Sequence, residues 1–74
     1  MLENTLKEIC ERGYEVIWSY DEPLNEILVR VRKDQKTYMT AIQRGGNSRE
    51  IEFMLDMAIR SLVEKLEKGE GNES

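Results

Sequence analysis

One stretch, residues 27–42, constrains the fold of this chain more than any other. It reads ILVRVRKDQKTYMTAI, and apolar side chains alternate with polar ones on both sides of KDQK. Alternation with a period of two is typical of half-buried strands, and two such runs joined by a short polar segment predict an antiparallel hairpin. If residues 33–36 form the connection, Arg32 pairs with Thr37 and Leu28 with Ala41. The predicted core face of the hairpin then carries Ile27, Val29, Val31, Thr40 and Ile42.

The chain begins with apolar residues at the spacing of a helix. Leu2, Leu6, Ile9 and Cys10 recur on one side of a predicted helix, and Gly13 is placed to end it. Cys10 lies on this apolar stripe, so we expect it to be a small buried hydrophobic residue.

From Tyr14 the period changes to two. Tyr14, Val16, Trp18 and Tyr20 alternate with their neighbours, which predicts a strand with an aromatic-rich face. Pro23 ends it, because proline lacks the backbone donor that a central strand needs. We predict that Trp18 faces the helices and is buried.

The last third of the chain predicts a long second helix, from about residue 48 to residue 68. Asn47 is a suitable N-cap, and Glu50, three residues later, completes a capping box. The apolar stripe that follows consists of Ile51, Leu55, Ala58, Leu62 and Leu66, widened by Met54, Ile59 and Val63.

The elements follow one another in the order α-β-β-β-α, which predicts a single α+β domain over residues 1–68. Residues 69–74 read GEGNES and are predicted to be a disordered polar tail. Short connections favour a three-stranded antiparallel meander with both helices on one face. The opposite face is then open, and we expect it to carry Ile17, Leu28, Met39 and Ala41, beside Arg30 and Arg32.

Composition narrows the range of functions. The 74 residues include one cysteine and no histidine, which leaves out the usual zinc ligand sets and the Ser-His and Cys-His pairs of nucleophilic catalysis. No glycine-rich phosphate loop is present. We therefore predict a protein that is not an enzyme and needs no metal or cofactor. No apolar run is long enough to span a membrane and the N-terminus has no signal-peptide pattern, so we expect a cytoplasmic location and no membrane partner.

Positive charge is concentrated in the middle of the chain. Residues 30–49 hold six bases and one acid, whereas the net charge of the whole chain is −4. A basic patch beside a helix N-terminus suits phosphate, which makes double-stranded nucleic acid an alternative partner. The same charges can instead solubilise an exposed hairpin and discourage edge pairing. The six bases are Arg30, Arg32, Lys33, Lys36, Arg44 and Arg49.

The predicted open face favours a protein partner, because an apolar centre with an arginine rim has the composition of an interface. The partner is either a second copy, in a homodimer, or a different protein such as a host or defence factor. Nucleic acid fits less well, since the overall acidity repels a polyanion. A small subunit that works only as an oligomer is a further alternative. The predicted partner-binding residues are Ile17, Leu28, Arg30, Arg32, Lys33, Asp34, Lys36 and Met39.

The predicted α-β-β-β-α order resembles that of double-stranded RNA-binding domains. Those modules begin their second helix with lysines and carry a histidine in the loop between the first two strands. Here the helix begins SREIE and the loop is DEPLN. The resemblance therefore covers the topology alone.

A second resemblance rests on particular residues. The first helix leads into YEV at 14–16, and the hairpin begins ILVRV at 27–31, followed by Asp34 and Tyr38. With these positions the chain from residue 6 to about residue 66 resembles the small acidic type II-A anti-CRISPR inhibitors encoded by Listeria prophages. The resemblance implies the same topology and an inhibitor that mimics DNA, its acids occupying the nuclease surface that reads the short motif beside the target.

The acids of that family are only partly present. Asp34 matches the acid of its hairpin turn, whereas Thr37 and Gly13 stand where it has further acids, and the turn here contains Lys33 and Lys36. The resemblance therefore implies, above all, a small phage or mobile-element protein that acts by binding a host or defence protein.

Overall fold

The computed structural model describes residues 2–69 and confirms the predicted α-β-β-β-α order. The predicted disordered tail lies outside the described residues from 70 onward, while Gly69 belongs to the end of the second helix. Within the described residues, no helix is both long enough and apolar enough to cross a membrane. The elements are α1 (Leu2–Glu11), β1 (Glu15–Asp21), β2 (Glu26–Lys33), β3 (Lys36–Gln43) and α2 (Ser48–Lys68).

The strands form one antiparallel sheet in the order β1-β2-β3. The predicted pairing of Arg32 with Thr37 and of Leu28 with Ala41 is confirmed. The turn itself is shorter than the predicted connection, because residues 33 and 36 still pair as the last rung of the ladder. Asp34 and Gln35 have φ values of 55° and 70°, the left-handed conformation of tight hairpin turns whose twist matches the flanking strands.

Local signals position α2 as predicted. The Glu50 backbone N–H donates to Asn47 Oδ1 at 2.9 Å, and the Asn47 N–H donates to Glu50 Oε1 at 3.2 Å, which completes the capping box. At the other end Gly69 adopts φ 72°, and its N–H donates to the carbonyl of Leu66 at 3.3 Å. A left-handed glycine that satisfies the last carbonyls is a common way for a helix to end.

The core lies between the two helices and one face of the sheet. Val29, Val31 and Ile59 are fully buried, and the predicted core position Ile42 is also buried. Ile27, also predicted to face the core, packs against this cluster and is partly buried. The buried hydrophobic residues are Ile9, Tyr14, Val29, Val31, Ile42, Leu55, Ile59, Leu62 and Val63.

The prediction for Cys10 is wrong, because its side chain is exposed. The predicted stripe residues Leu2 and Leu6 pack against the core and are partly buried. The buried residues of α1 are Thr5 and Ile9, which are four positions apart and therefore share one helix face. Thr5 is only 2% exposed and hydrogen-bonds to Asp56 of α2. A polar contact with α2 thus occupies a buried position that the predicted apolar stripe did not include.

Trp18 lies on the predicted face of the sheet but is not buried. It pairs with Val29, which points into the core, yet Trp18 remains 44% exposed and Tyr20, two residues on, is also exposed. The reason is that α2 packs on β2 and β3, whereas β1 is an edge strand that contacts the helices only weakly, through α1. The helix layer is therefore too narrow to cover the far half of β1.

Candidate protein-interaction surface

We call the side of the sheet that faces away from both helices the open face. Its residues follow from the register, because side chains alternate along each strand and paired residues point to the same side. Four cross-strand rows result. They are Glu15–Arg32–Thr37, Ile17–Arg30–Met39, Ser19–Leu28–Ala41 and Asp21–Glu26–Gln43.

The centre of the open face is apolar. Met39 is 57% exposed and Ile17 is 47% exposed, and Leu28 of the next row is partly buried beside the exposed Ala41. Arg30 stands between Ile17 and Met39. It forms no ion pair with any residue of the described range 2–69. The sequence-based placement of these five residues on one face agrees with the register.

The two ends of the open face carry different charges. Arg32 Nε donates to Glu15 Oε1 at 2.9 Å, and its Nη2 forms a second contact with the same oxygen. At the opposite end, Asp21 stands directly across from Glu26, whose carboxylate accepts a hydrogen bond from Gln43 Nε2 at 3.2 Å. Arg32 is therefore neutralised within the sheet, which leaves Arg30 as the cation that a partner can reach at the centre.

The structure places the lysines of the predicted site elsewhere. Lys33 and Lys36 pair with each other at the end of the hairpin and point to the helix side of the sheet. The Lys33 ammonium lies 4.6 Å from the centroid of the buried Tyr14 ring, and the Tyr14 hydroxyl donates to Glu67 at 3.1 Å. Lys33 therefore helps to hold the hairpin against the end of α2 and does not join the open face. Asp34 lies exposed in the turn beyond it.

The six bases of the central segment do not meet on one surface. Lys33 and Lys36 lie at the β2–β3 turn, whereas Arg44 and Arg49 lie beyond the other end of β3. An eight-residue strand separates the two groups by about 23 Å, at roughly 3.3 Å per residue. The Arg44 guanidinium lies 5.6 Å from the ring centroid of Tyr20. A continuous basic face, which a nucleic-acid duplex requires, is therefore not formed by these residues.

A polar cluster between the helices, buried at Thr5 and Asp56 and exposed at Arg60, was not predicted. Thr5 Oγ1 donates to Asp56 Oδ1, Arg60 Nε donates to Asp56 Oδ2 at 3.0 Å, and Arg60 Nη2 donates to Thr5 Oγ1 at 2.9 Å. The spacing of Asp56 and Arg60 is a sequence signal for a helix pair. The third member lies 51 positions away in the sequence, so no local pattern points to it. The cluster joins α1 to α2, and Thr5 and Arg60 also line a small pocket of about 180 Å³ between the helices.

The described residues offer no arrangement for metal chemistry, because no group of three or more histidine, cysteine or carboxylate side chains converges among them. An open groove of about 510 Å³ lies beside the start of α2 and is lined by Phe53, Met54 and Arg49 among others. Its lining is mainly apolar, and its carboxylate, Glu50, is engaged in the capping box. The open face, with its apolar centre around Arg30, also has the composition of an interface.

Comparisons of the chain with protein-family models, with curated proteins and with solved structures gave no match. The two resemblances described from the sequence therefore remain predictions.

Proposed function

We propose that this chain is a non-enzymatic protein-interaction module that binds a protein partner through the open face of its sheet. The observation that carries the proposal is the exposed apolar pair Ile17 and Met39 on either side of Arg30. The solvent-facing sides of antiparallel sheets normally carry polar side chains, whereas interfaces combine apolar centres with arginine. The non-enzymatic part of the proposal rests on the composition, with no histidine and a single cysteine.

Charge favours a different protein over a second copy. Two copies that pack face to face are related by a two-fold axis, so the same patch meets itself. An axis along the strands sets Arg30 against its own counterpart. An axis across the strands sets Asp21 against Glu15 of the other copy, although it also sets Arg32 against Glu26. Like charges in such positions oppose association. A different protein that presents a carboxylate to Arg30 has no such conflict.

The size of the open face also bears on the partner. Three strands about 4.8 Å apart, of seven or eight residues at about 3.3 Å each, give a footprint of at most about 14 Å by 26 Å. A stable interface buries about 800 Å² on each partner. Because side chains project from the sheet, the accessible area is larger than the flat footprint of about 370 Å². The partner must still cover the whole face and its border.

The finer proposal is that the partner is a host or defence protein and that the chain is an inhibitor carried by a phage or mobile element. Its support is the sequence resemblance to anti-CRISPR inhibitors. Lys33 and Lys36 beside the turn weigh against mimicry of DNA by the hairpin, because a mimic of a polyanion needs negative charge there. Binding by the apolar centre of the open face is independent of such mimicry.

A matched pair of substitutions on β3 tests the proposal. The chain is used to capture binding proteins from a lysate of the organism that carries its gene, and each captured protein is purified and titrated against the chain by calorimetry. Met39→Glu should weaken the binding of a specific partner by a factor of about ten or more, as expected for a residue at the centre of an interface. Thr37→Glu, on the same strand and face but in the end row, should change the affinity by less than about twofold.

Both positions are exposed, so both variants should melt close to the unsubstituted chain in circular dichroism. Equal affinities for the two variants, or the absence of any saturable protein partner, would overturn the proposal.

A further inference from the structure

The outer edge of β1 is a row of unpaired backbone groups. β1 pairs only with β2, and the backbone groups of residues 15–21 that point away from β2 form no hydrogen bond within the described residues. Natural sheets protect such edges with lysine, proline, a bulge or a covering helix or loop. β1 reads EVIWSYD and contains neither lysine nor proline, and its pairing with β2 runs without a bulge.

β1 exposes large apolar or aromatic side chains on both sides of the sheet. Ile17 stands on the open face, whereas Trp18 and Tyr20 stand on the helix side, beyond the reach of α2. A strand added beside β1 would contact all three of these side chains, because its own residues alternate between the same two sides. The other edge differs, since β3 lies under α2 and carries Lys36 and two threonines.

Charge identifies what such a strand must carry. Glu15 is already paired with Arg32, whereas Asp21 stands opposite Glu26 and is followed by Glu22. One cation lies near this end, since Arg44 stacks against the Tyr20 ring. The three carboxylates of Asp21, Glu22 and Glu26 outnumber it, which leaves an excess of negative charge beside a free edge. A lysine or arginine opposite Asp21 would relieve the repulsion between two acids on adjacent strands.

A second copy of the chain fits this edge poorly. In the antiparallel register that pairs all seven residues of β1 with themselves, Trp18 meets its own counterpart and Glu15 meets Asp21 at both ends. Carboxylates directly opposite each other destabilise a strand pair. A basic segment of another protein avoids this conflict.

We propose that the outer edge of β1 receives an extended segment of the partner protein as a fourth strand, with apolar residues at alternate positions and a lysine or arginine opposite Asp21. This inference rests on the proposed function and extends the interface from the open face over its border. Main-chain hydrogen bonds supply affinity in strand addition, and the alternate side chains supply specificity. The added strand would also supply contact area that the open face alone lacks.

Defined peptides provide the probe. The first panel consists of peptides with blocked ends, each seven residues long like β1. They carry valine, isoleucine and threonine in alternation and a lysine at one end. A second panel replaces each lysine with glutamate. The fluorescence of the single tryptophan, Trp18, reports binding, because this side chain lies at the edge. Backbone amide exchange, followed by nuclear magnetic resonance, reports where the peptide lies.

At least one lysine peptide should bind with a dissociation constant below about 1 mM. Its glutamate counterpart should bind about two- to fivefold more weakly, the range for one cross-strand charge pair. At a peptide concentration ten times its dissociation constant, exposed amides of β1 should exchange about tenfold more slowly, while those of β3 should not change. Trp18→Lys lacks the fluorescent reporter, so its binding is followed by amide exchange alone. It should show no protection of β1, because it adds the usual edge protection, whereas Thr37→Lys on β3 should keep that protection.

The inference is overturned if no lysine peptide binds, if glutamate peptides bind as well, or if protection appears at β3 instead. It is also overturned if the chain alone forms a dimer in sedimentation with its β1 amides protected, since a second copy would then occupy the edge. The purified partner separates the two proposals. If Met39→Glu weakens its binding and Trp18→Lys does not, the proposed function stands and the strand addition fails; if neither weakens it, both fail.

Discussion

The two faces of the sheet differ most clearly along β2, where neighbouring residues meet opposite surroundings. Val29 and Val31 are fully buried beneath the helices, whereas Arg30 between them stands on the open face without an ion pair among residues 2–69. Both faces nevertheless carry large apolar side chains. Apolar character alone therefore does not distinguish a core from an interface; the cover provided by other elements does.

The same substitution made in the core and on the open face should show the largest difference in effect. Ile59→Ala empties a fully buried site on α2 and should lower the free energy of unfolding by about 2–5 kcal/mol, the range for isoleucine in a core. Ile17→Ala removes the same atoms from the open face and should lower it by less than about 1 kcal/mol. Urea denaturation measures both. Similar losses for the two variants would show that the open face is packed as tightly as the core.

A pair of carboxylates on α2 extends the comparison to polar groups. Asp56 and Glu64 each form an ion pair with a base four residues later, but Asp56 is buried against Thr5 and Glu64 is exposed. Asp56→Ala should cost about 1–3 kcal/mol, because it leaves the buried Thr5 hydroxyl without its acceptor. Glu64→Ala should cost less than about 0.5 kcal/mol. Thermal and urea unfolding measure both losses of stability. Equal losses for the two variants would show that the cluster of Thr5, Asp56 and Arg60 does not stabilise the fold as its geometry indicates.

Trp18 tests the boundary between the covered and the open regions. A fully buried aromatic residue costs about 3–5 kcal/mol when replaced by alanine, and the sequence pattern predicted such a site. Because Trp18 is 44% exposed, Trp18→Ala should cost about 1–2 kcal/mol in urea denaturation. The tryptophan emission of the native chain should also be quenched by acrylamide. A loss above about 3 kcal/mol would mean that α1 covers β1 more completely than the structure shows.

The weakest binding is expected between the chain and nucleic acid. The bases of residues 30–49 lie at both ends of β3 and on the open face, so few of them can contact one duplex together. Mobility-shift assays with duplex RNA and duplex DNA should show no binding tighter than about 1 μM at physiological salt. Sub-micromolar binding that weakens steeply with added salt would show that the partner is nucleic acid and not a protein.

Several features of the fold were predictable because short-range patterns determine them. The alternation over residues 27–42 and an even-numbered connection set the register of β2 and β3, and the two faces of β2 follow from it. Asn47 and Glu50 predicted the start of α2, since a capping box needs only residues that are three positions apart. The apolar centre at Ile17 and Met39 was placed correctly for the same reason.

Burial was less predictable, because it depends on how elements pack that are distant in the sequence. The sequence by itself determined the order of the elements, the hairpin register and the side of the sheet to which each strand residue points, through rules that act over a few residues. The tertiary structure alone decided that Cys10 is exposed, that Thr5 is buried against Asp56, and that the far half of β1 stays uncovered. The physical reason is that a ten-residue α1 and an α2 centred over β2 and β3 have a limited width, and no local periodicity encodes where that width ends.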